Sequence, residues 1–193
     1  MPTTLRPLNP PTALPVSLAT AKLHCKVEHS ADDALITSMI RAAARSAEQQ
    51  LNRALMEQQW LCSLDEFPAT GIVLGKPRVI AIDSIIYTNP AGTDVTLPGS
   101  AYTLDADALP GLVLPALGTT WPATRAQPNA VRVTFTAGYG ADAAAVPDDV
   151  AVWLLLQVAT LYRNREAFAQ GVSVAELPGR FADGLLDAQR LYW

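Results

Sequence analysis

The stretch Ser30–Leu55, SADDALITSMIRAAARSAEQQLNRAL, decides how the rest of the chain must be read. Ile36, Ile40, Ala43, Ala47 and Leu51 recur at steps of three or four, with Leu35, Met39 and Leu55 beside them. That spacing predicts one apolar face along a helix about 36 Å long, at ~1.5 Å per residue. Ser30 and Asp33 stand at capping-box spacing, where a hydroxyl and a carboxylate each take up a free backbone donor. Asp32 and Asp33 also bring negative charge to the first turn, where the helix dipole favours it. Arg41, Arg45, Glu48, Gln49 and Asn52 fall off the stripe. The alanines in the stripe let a neighbouring helix approach closely. A helix of this length needs partners, and the rest of the chain must supply them.

The 193 residues suffice for one domain, or for a domain carrying a sizeable insert, with a real core. The balance is mildly acidic, with a net charge of −4. A protein that grips nucleic acid over a broad surface would instead show clustered Lys and Arg. Charged residues make up 17 % of the chain, against about 25 % in an ordinary soluble domain. Hydrophobic residues make up 50 %. Sparse charge with this much apolar side chain points to large protein–protein interfaces, as in an oligomer; an ordinary alanine-rich monomer is the plainer alternative. Cys25 and Cys62 have neither disulfide-framework nor zinc-pair spacing, which fits a reducing, cytosolic setting. The opening MPTTLRPLNPPTALP lacks an apolar core of signal-peptide type. The longest apolar run, Val150–Leu156, is far short of the ~20 residues that span a bilayer. No membrane role is expected.

In chain order, residues 1–16 hold five prolines and no periodicity, and read as an extended arm, disordered in isolation or laid along a neighbouring subunit. Ser17 suits an N-cap for a short helix with Leu18, Ala21, Lys22 and Cys25 at helical spacing. After Leu55 the period changes. Trp60, Cys62 and Leu64 alternate with Leu61, Ser63 and Asp65 as in a strand. Further strands are predicted at Ile72–Leu74, Val79–Thr88, Val95–Leu97, Ala101–Leu104, Leu112–Leu114 and Val131–Ala137, with a hairpin turn at Asn89–Gly92. The loop 118–129 carries an isolated Trp121. At Pro147, followed by Asp148 and Asp149, the helical period returns and runs to Phe168, apolar nearly all round from Val150 to Tyr162. A last helix is expected over about 179–191, with Phe181, Leu185, Leu186 and Leu191 as its apolar positions. The fold class is therefore α+β. Residues 17–57 and 141–193 form one helical bundle, residues 58–140 an antiparallel β insert, and residues 1–16 the Pro-rich arm.

No set of residues converges on catalytic chemistry. Gly138-Tyr139-Gly140 follows a strand and precedes a helix, and Ala143 stands where a dinucleotide fingerprint wants its third glycine. The helix does not begin until Pro147, too late to aim its N-terminus at a phosphate, and no βαβ alternation surrounds it. A plain β-to-α turn is the better reading. His24, Cys25 and His29 lack a fourth ligand nearby, and adjacent His24 and Cys25 point to different sides of a helix. No serine sits in a GxSxG elbow. The chain is not expected to be an enzyme or to carry a cofactor or metal. Trp153, Tyr162, Arg163, Arg165, Glu166 and Trp193 are a different kind of candidate, because aromatics and Arg dominate interface hot spots. Trp153 also reads as plain core, and Arg165 with Glu166 as a solvated helix end.

These words together resemble a family. Leu18, Ala21 and Lys22 in the first helix, Asp32–Ile36 opening the second, and Arg53-Ala54-Leu55 before Gln59-Trp60 are similar to the N-terminal half of head–tail connector proteins. These are the head-completion or adaptor proteins of long-tailed double-stranded DNA bacteriophages. Pro128–Gly140 and Val146–Glu166 share the likeness, so it spans roughly Pro15 to Glu166. The resemblance implies a mostly helical protein that assembles as a ring beneath the portal, extends the DNA channel and presents a platform to the next neck or tail protein. Its partners would be further copies of itself, the portal, that neck or tail protein, and double-stranded DNA passing without sequence-specific binding. Its place would be the head–tail junction of a virion or prophage particle, after synthesis in the bacterial cytoplasm. Shorter members lack a β insert, so the resemblance assigns no role to residues 58–137. The alternatives are another tail or neck structural protein, or a small nucleotide-binding enzyme using the Gly138–Gly140 turn.

Overall fold

The computed structural model describes residues 4–164 and 184–190. The chain divides into two compact units, Met1–Pro11 with Glu57–Tyr139, and Thr12–Met56 with Gly140–Trp193.

The first unit is all β. Strand β1 (Thr4–Pro7) opens it, and β2 (Gln58–Leu64), β3 (Ile72–Leu74), β4 (Val79–Thr88), β5 (Asp94–Thr96), β6 (Tyr102–Asp105), β7 (Gly111–Pro115) and β8 (Val131–Ala137) follow. They make a five-stranded sheet in the order β1-β2-β8-β4-β5 and a three-stranded sheet in the order β3-β7-β6. Every pairing is antiparallel. Alternation decides which side chains turn inward. Cys62 and Leu64 of β2, Val131, Val133 and Phe135 of β8, and Ile85 of β4 share one buried cluster with Ile72 and Leu74 of β3 and Val113 of β7. The two sheets therefore pack face to face over a common core. The β4–β5 turn is closed from both sides: Gly92 N–H donates to the Asn89 carbonyl (2.8 Å) and Asn89 N–H to the Thr93 carbonyl (2.9 Å). Gly92 sits at φ +88°, a conformation that costs a side chain but not glycine.

One expectation changes here. The Pro-rich arm is not disordered over its described part, because Thr4–Pro7 pair with Ser63–Trp60 as an edge strand. Leu5 packs against the buried cluster, so a single apolar residue between polar neighbours anchors the segment.

The second unit is helical: α1 (Leu18–Cys25), α2 (Asp33–Leu51) and α3 (Asp148–Arg163), with a further helical turn at 184–187. Ser17 caps α1, its hydroxyl accepting from Thr20 N–H at 3.0 Å. Lys26 ends α1 in the left-handed region, with Lys26 N–H bonded to the Leu23 carbonyl and Val27 N–H to Lys22, the paired bonds of a Schellman ending. Ile36, Ile40, Ala43, Ala47 and Leu51 are the buried residues of α2, the same five that carry the period in the sequence. Val150, Trp153, Leu154, Val158 and Ala159 are buried on α3.

The start of α2 differs from expectation. Its N-cap is Asp32, which makes no side-chain capping bond, and Ser30 contributes only its carbonyl, to Asp33 N–H. The two aspartates are committed to other helices instead, as described below. The helix is correspondingly shorter, 19 residues, or about 28 Å. Asn52, at φ 52°, ends it, and Glu48 Oε1 accepts from Leu55 N–H to hold the chain that follows. On α3, Pro147 is the N-cap and not the first helical residue, and the helix ends at Arg163.

Candidate functional site

The three helices of the second unit meet in a cluster of polar contacts. Lys22 Nζ of α1 lies 2.6 Å from Asp33 Oδ1 at the head of α2. Tyr162 in the last turn of α3 donates its hydroxyl to Asp32 Oδ2 at 2.6 Å. Arg163 lies close enough to Cys25 at the end of α1 to favour its thiolate, although burial wins and the thiol stays above its ordinary value. Asp32 and Asp33 are adjacent, so they face different sides of the helix start. One reaches α3 and the other α1. The two carboxylates act as a hinge pin for both neighbours, and this is why they are unavailable as caps.

Large apolar side chains are exposed at this same end. Leu23 beside Lys22 is 81 % exposed, Leu161 beside Tyr162 is 40 % exposed, and Leu35 in the first turn of α2 is exposed as well. Val152, on the outer side of α3, is also exposed. The surface is thus apolar around a fixed polar centre, the pattern of a protein–protein contact.

Of the six sequence candidates, Tyr162 and Arg163 lie in this cluster. Trp153 does not: it is buried within the helical unit, 1 % exposed, and its indole Nε1 has no hydrogen-bond partner among the described residues. Arg165, Glu166 and Trp193 lie outside the described residues. Lys22, Asp32 and Asp33 were missed as a set, since the acidic pair had a sufficient local explanation in the helix dipole. Only the adjacency of two carboxylates, where one serves a cap, hinted at a second use.

The β unit has its own unforeseen cluster. Trp121, isolated in an irregular loop by sequence, stacks on Phe67 with centroids 4.7 Å apart and planes 9° off parallel. Its Nε1 donates to the Pro68 carbonyl at 3.1 Å, and Phe67 meets Tyr87 edge-on at 5.7 Å. This trio fastens the loop to the sandwich. Leu117, in the same β7–β8 connection as Trp121, is fully exposed, and Val73 of β3 and Leu109 of the β6–β7 turn are half exposed.

The Gly138–Gly140 segment is occupied with folding. Gly138 N–H donates to the Arg78 carbonyl, and the Arg78 guanidinium lies 5.0 Å over the Tyr139 ring. A Cβ on Gly140 would stand 2.7 Å from that of Ala145, so close approach by itself accounts for glycine there. His24 and His29 are exposed and Cys25 is half buried. Among the described residues no three His, Cys, Asp or Glu side chains are placed to hold a metal ion, and no helix is long and apolar enough to cross a membrane.

Solved structures contain chains that share this fold. Three are described as the virion of a native gene transfer agent particle, the neck of an empty gene transfer agent particle computed with C6 symmetry, and the neck of a native particle computed with C12 symmetry. Chains in them match with TM-scores of 0.79, 0.80 and 0.76 at 21 %, 22 % and 24 % identity. Each match covers 98 % of this chain and 96 % of the other. The whole architecture, β unit included, therefore exists in a known fold. Residues 15–75 match the family described as phage gp6-like head-tail connector proteins, which is the resemblance carried by the α1 and α2 sequence. No curated protein sequence matches.

Proposed function

We propose that this chain is a structural protein of a phage or phage-like neck, which assembles as a ring beneath the portal, extends the DNA channel and joins head to tail. The observation that carries this is the likeness of the entire chain to chains in gene transfer agent particles, two of them described as necks. The connector match over residues 15–75 supports it from sequence. The role is assembly and not catalysis. The helical unit builds the ring wall, with the end that carries Tyr162, Arg163, Leu23 and Leu161 against a neighbouring copy; Arg165, Glu166 and Trp193 extend that contact. The β unit faces outward or toward a neighbour. Portal and downstream neck or tail protein are the partners, DNA passes without sequence-specific binding, and the mature site is the virion's head–tail junction after synthesis in the host cytoplasm.

Native mass measured across protein concentration tests the ring, with completion of tail-less heads in vitro as the second arm. A closed high-order oligomer, or head completion by a chain that is monomeric alone, is the expected result. A monomer that also fails to join portal-bearing heads overturns the proposal.

A further inference from the structure

The outward face of α2 has a composition unlike the rest of this acidic chain. Ser38, Arg41, Ala42, Arg45, Ser46 and Gln49 are all exposed along it, and no carboxylate stands among them. The two acids of the helix are engaged elsewhere, Asp33 with Lys22 and Glu48 with Leu55 N–H. Arg41 and Arg45 lie one turn apart, about 6 Å along the axis, and neither guanidinium has an ion-pair or hydrogen-bond partner among the described residues. Arg190, held by Asp187 at 3.0 Å, lies against Gln50 at the end of the same stripe.

We infer that this stripe of α2 is a contact surface for the phosphate backbone of duplex DNA, the wall along which DNA slides. The inference rests on the neck reading above, which supplies the DNA. Three observations choose phosphate over a protein partner. Arginine with serine and glutamine side chains is the set that bonds phosphate oxygens. A protein interface would need an apolar core; from Ser38 to Gln49 the exposed stripe offers only Ala42, whose small side chain lets another surface approach closely, and the exposed Leu35 stands a turn earlier, at the end grouped with Leu23 and Leu161. The one acid near the pair along the helix, Glu48, is half buried and accepts from Leu55 N–H, so the two guanidinium groups face outward without a carboxylate beside them on the stripe. Two cations per copy make a weak, sequence-independent contact, which strengthens only by repetition in a ring and lets the duplex move.

The test is fluorescence anisotropy of a labelled duplex of about 30 base pairs, arbitrary in sequence, titrated with the full chain across sodium chloride concentrations. Two phosphate contacts predict a log–log salt slope near −2 per engaged chain, about a tenfold loss of affinity between roughly 50 and 200 mM. The Arg41→Gln/Arg45→Gln chain should bind at least tenfold more weakly, with the slope reduced by about 2. An Arg6→Gln/Arg125→Gln chain, equal in charge but altered on the β unit, should bind as the unaltered chain does. No binding at low salt, or equal weakening by both pairs, overturns the inference. So does an Arg41/Arg45 variant that binds DNA normally but no longer assembles, which assigns the stripe to a protein contact. Head completion by the variants is scored separately: failure of the unaltered chain there rejects the neck reading, whereas failure of DNA binding alone rejects only this surface.

Discussion

The Tyr162 hydroxyl lies 2.6 Å from Asp32 Oδ2, joining the last turn of α3 to the residue that opens α2, 130 positions earlier. With the Lys22–Asp33 pair at 2.6 Å, this bond sets where the ends of three helices stand. Any surface that α3 presents to a neighbour is therefore positioned by a carboxylate on α2.

Tyr162→Phe removes that hydroxyl and keeps the ring. A partly buried hydrogen bond to a carboxylate predicts a loss of about 1.5 kcal/mol in urea unfolding. Asp32→Ala should lose a similar amount, and the double variant less than the sum. Full additivity would show that the two side chains do not interact in solution.

Trp121→Ala empties the stack on Phe67 and breaks the bond to the Pro68 carbonyl. A loss of about 3 kcal/mol is expected. Trp121→Phe, which retains a ring but no N–H, should lose only about 1 kcal/mol. Equal losses for the two would mean that the hydrogen bond, and not the stacking, holds the loop.

Burial pushes the Cys62 thiol up to about 11 from its ordinary 9.0. The protonated thiol is the native form, so its contribution to stability is whole below the unfolded pKa and is lost as pH rises through 9 toward about 11. Thiol labelling at mildly alkaline pH should modify half-buried Cys25 readily and Cys62 only on unfolding. Equal labelling rates in the native protein would contradict a fully buried Cys62.

The Arg132 guanidinium, 2.7 Å from Asp94, and the Thr88 hydroxyl hold the Asp94 carboxyl below its ordinary value of 3.8. Its contribution is present above pH 3.8 and is lost as pH falls through the lower folded value. Asp94→Asn should lower stability slightly at neutral pH and hardly at all in strong acid, so that the acid limb becomes shallower; the loss is small because the Asp94 side chain is exposed. An unaltered acid limb would show that the pair forms no stronger in the folded chain than in the unfolded one.

The α2 stripe from Ile36 to Leu51 and the strands of the β unit were legible because periods of 3.6 and 2 are set by which residues must avoid water. The Asn89–Gly92 turn was legible for a related reason, since Gly92 alone tolerates its dihedral at no cost. Ser17 was legible as a cap because its bond to Thr20 is local. The supposed Ser30–Asp33 box failed because a local rule ranks only local partners. Once Lys22 and Tyr162 are near, they offer the two carboxylates charge-assisted bonds, and Asp33 N–H turns to the Ser30 carbonyl instead of the Ser30 hydroxyl. Trp121 failed similarly, having no partner within its own loop.

Sequence alone thus determined the element types from α1 to α3, the core face of α2, and the connector likeness of residues 15–75, since hydrophobic period and local capping are properties of neighbours along the chain. Only the tertiary structure decided that residues 4–7 add an edge strand and that two sheets share one core. It alone tied Asp32 and Asp33 to separate helices, fastened Trp121 to Phe67, and left Arg41 and Arg45 without an ion-pair partner among the described residues. Those outcomes depend on groups far apart in sequence competing for the same donors, acceptors and buried area, and that competition exists only once the chain has folded.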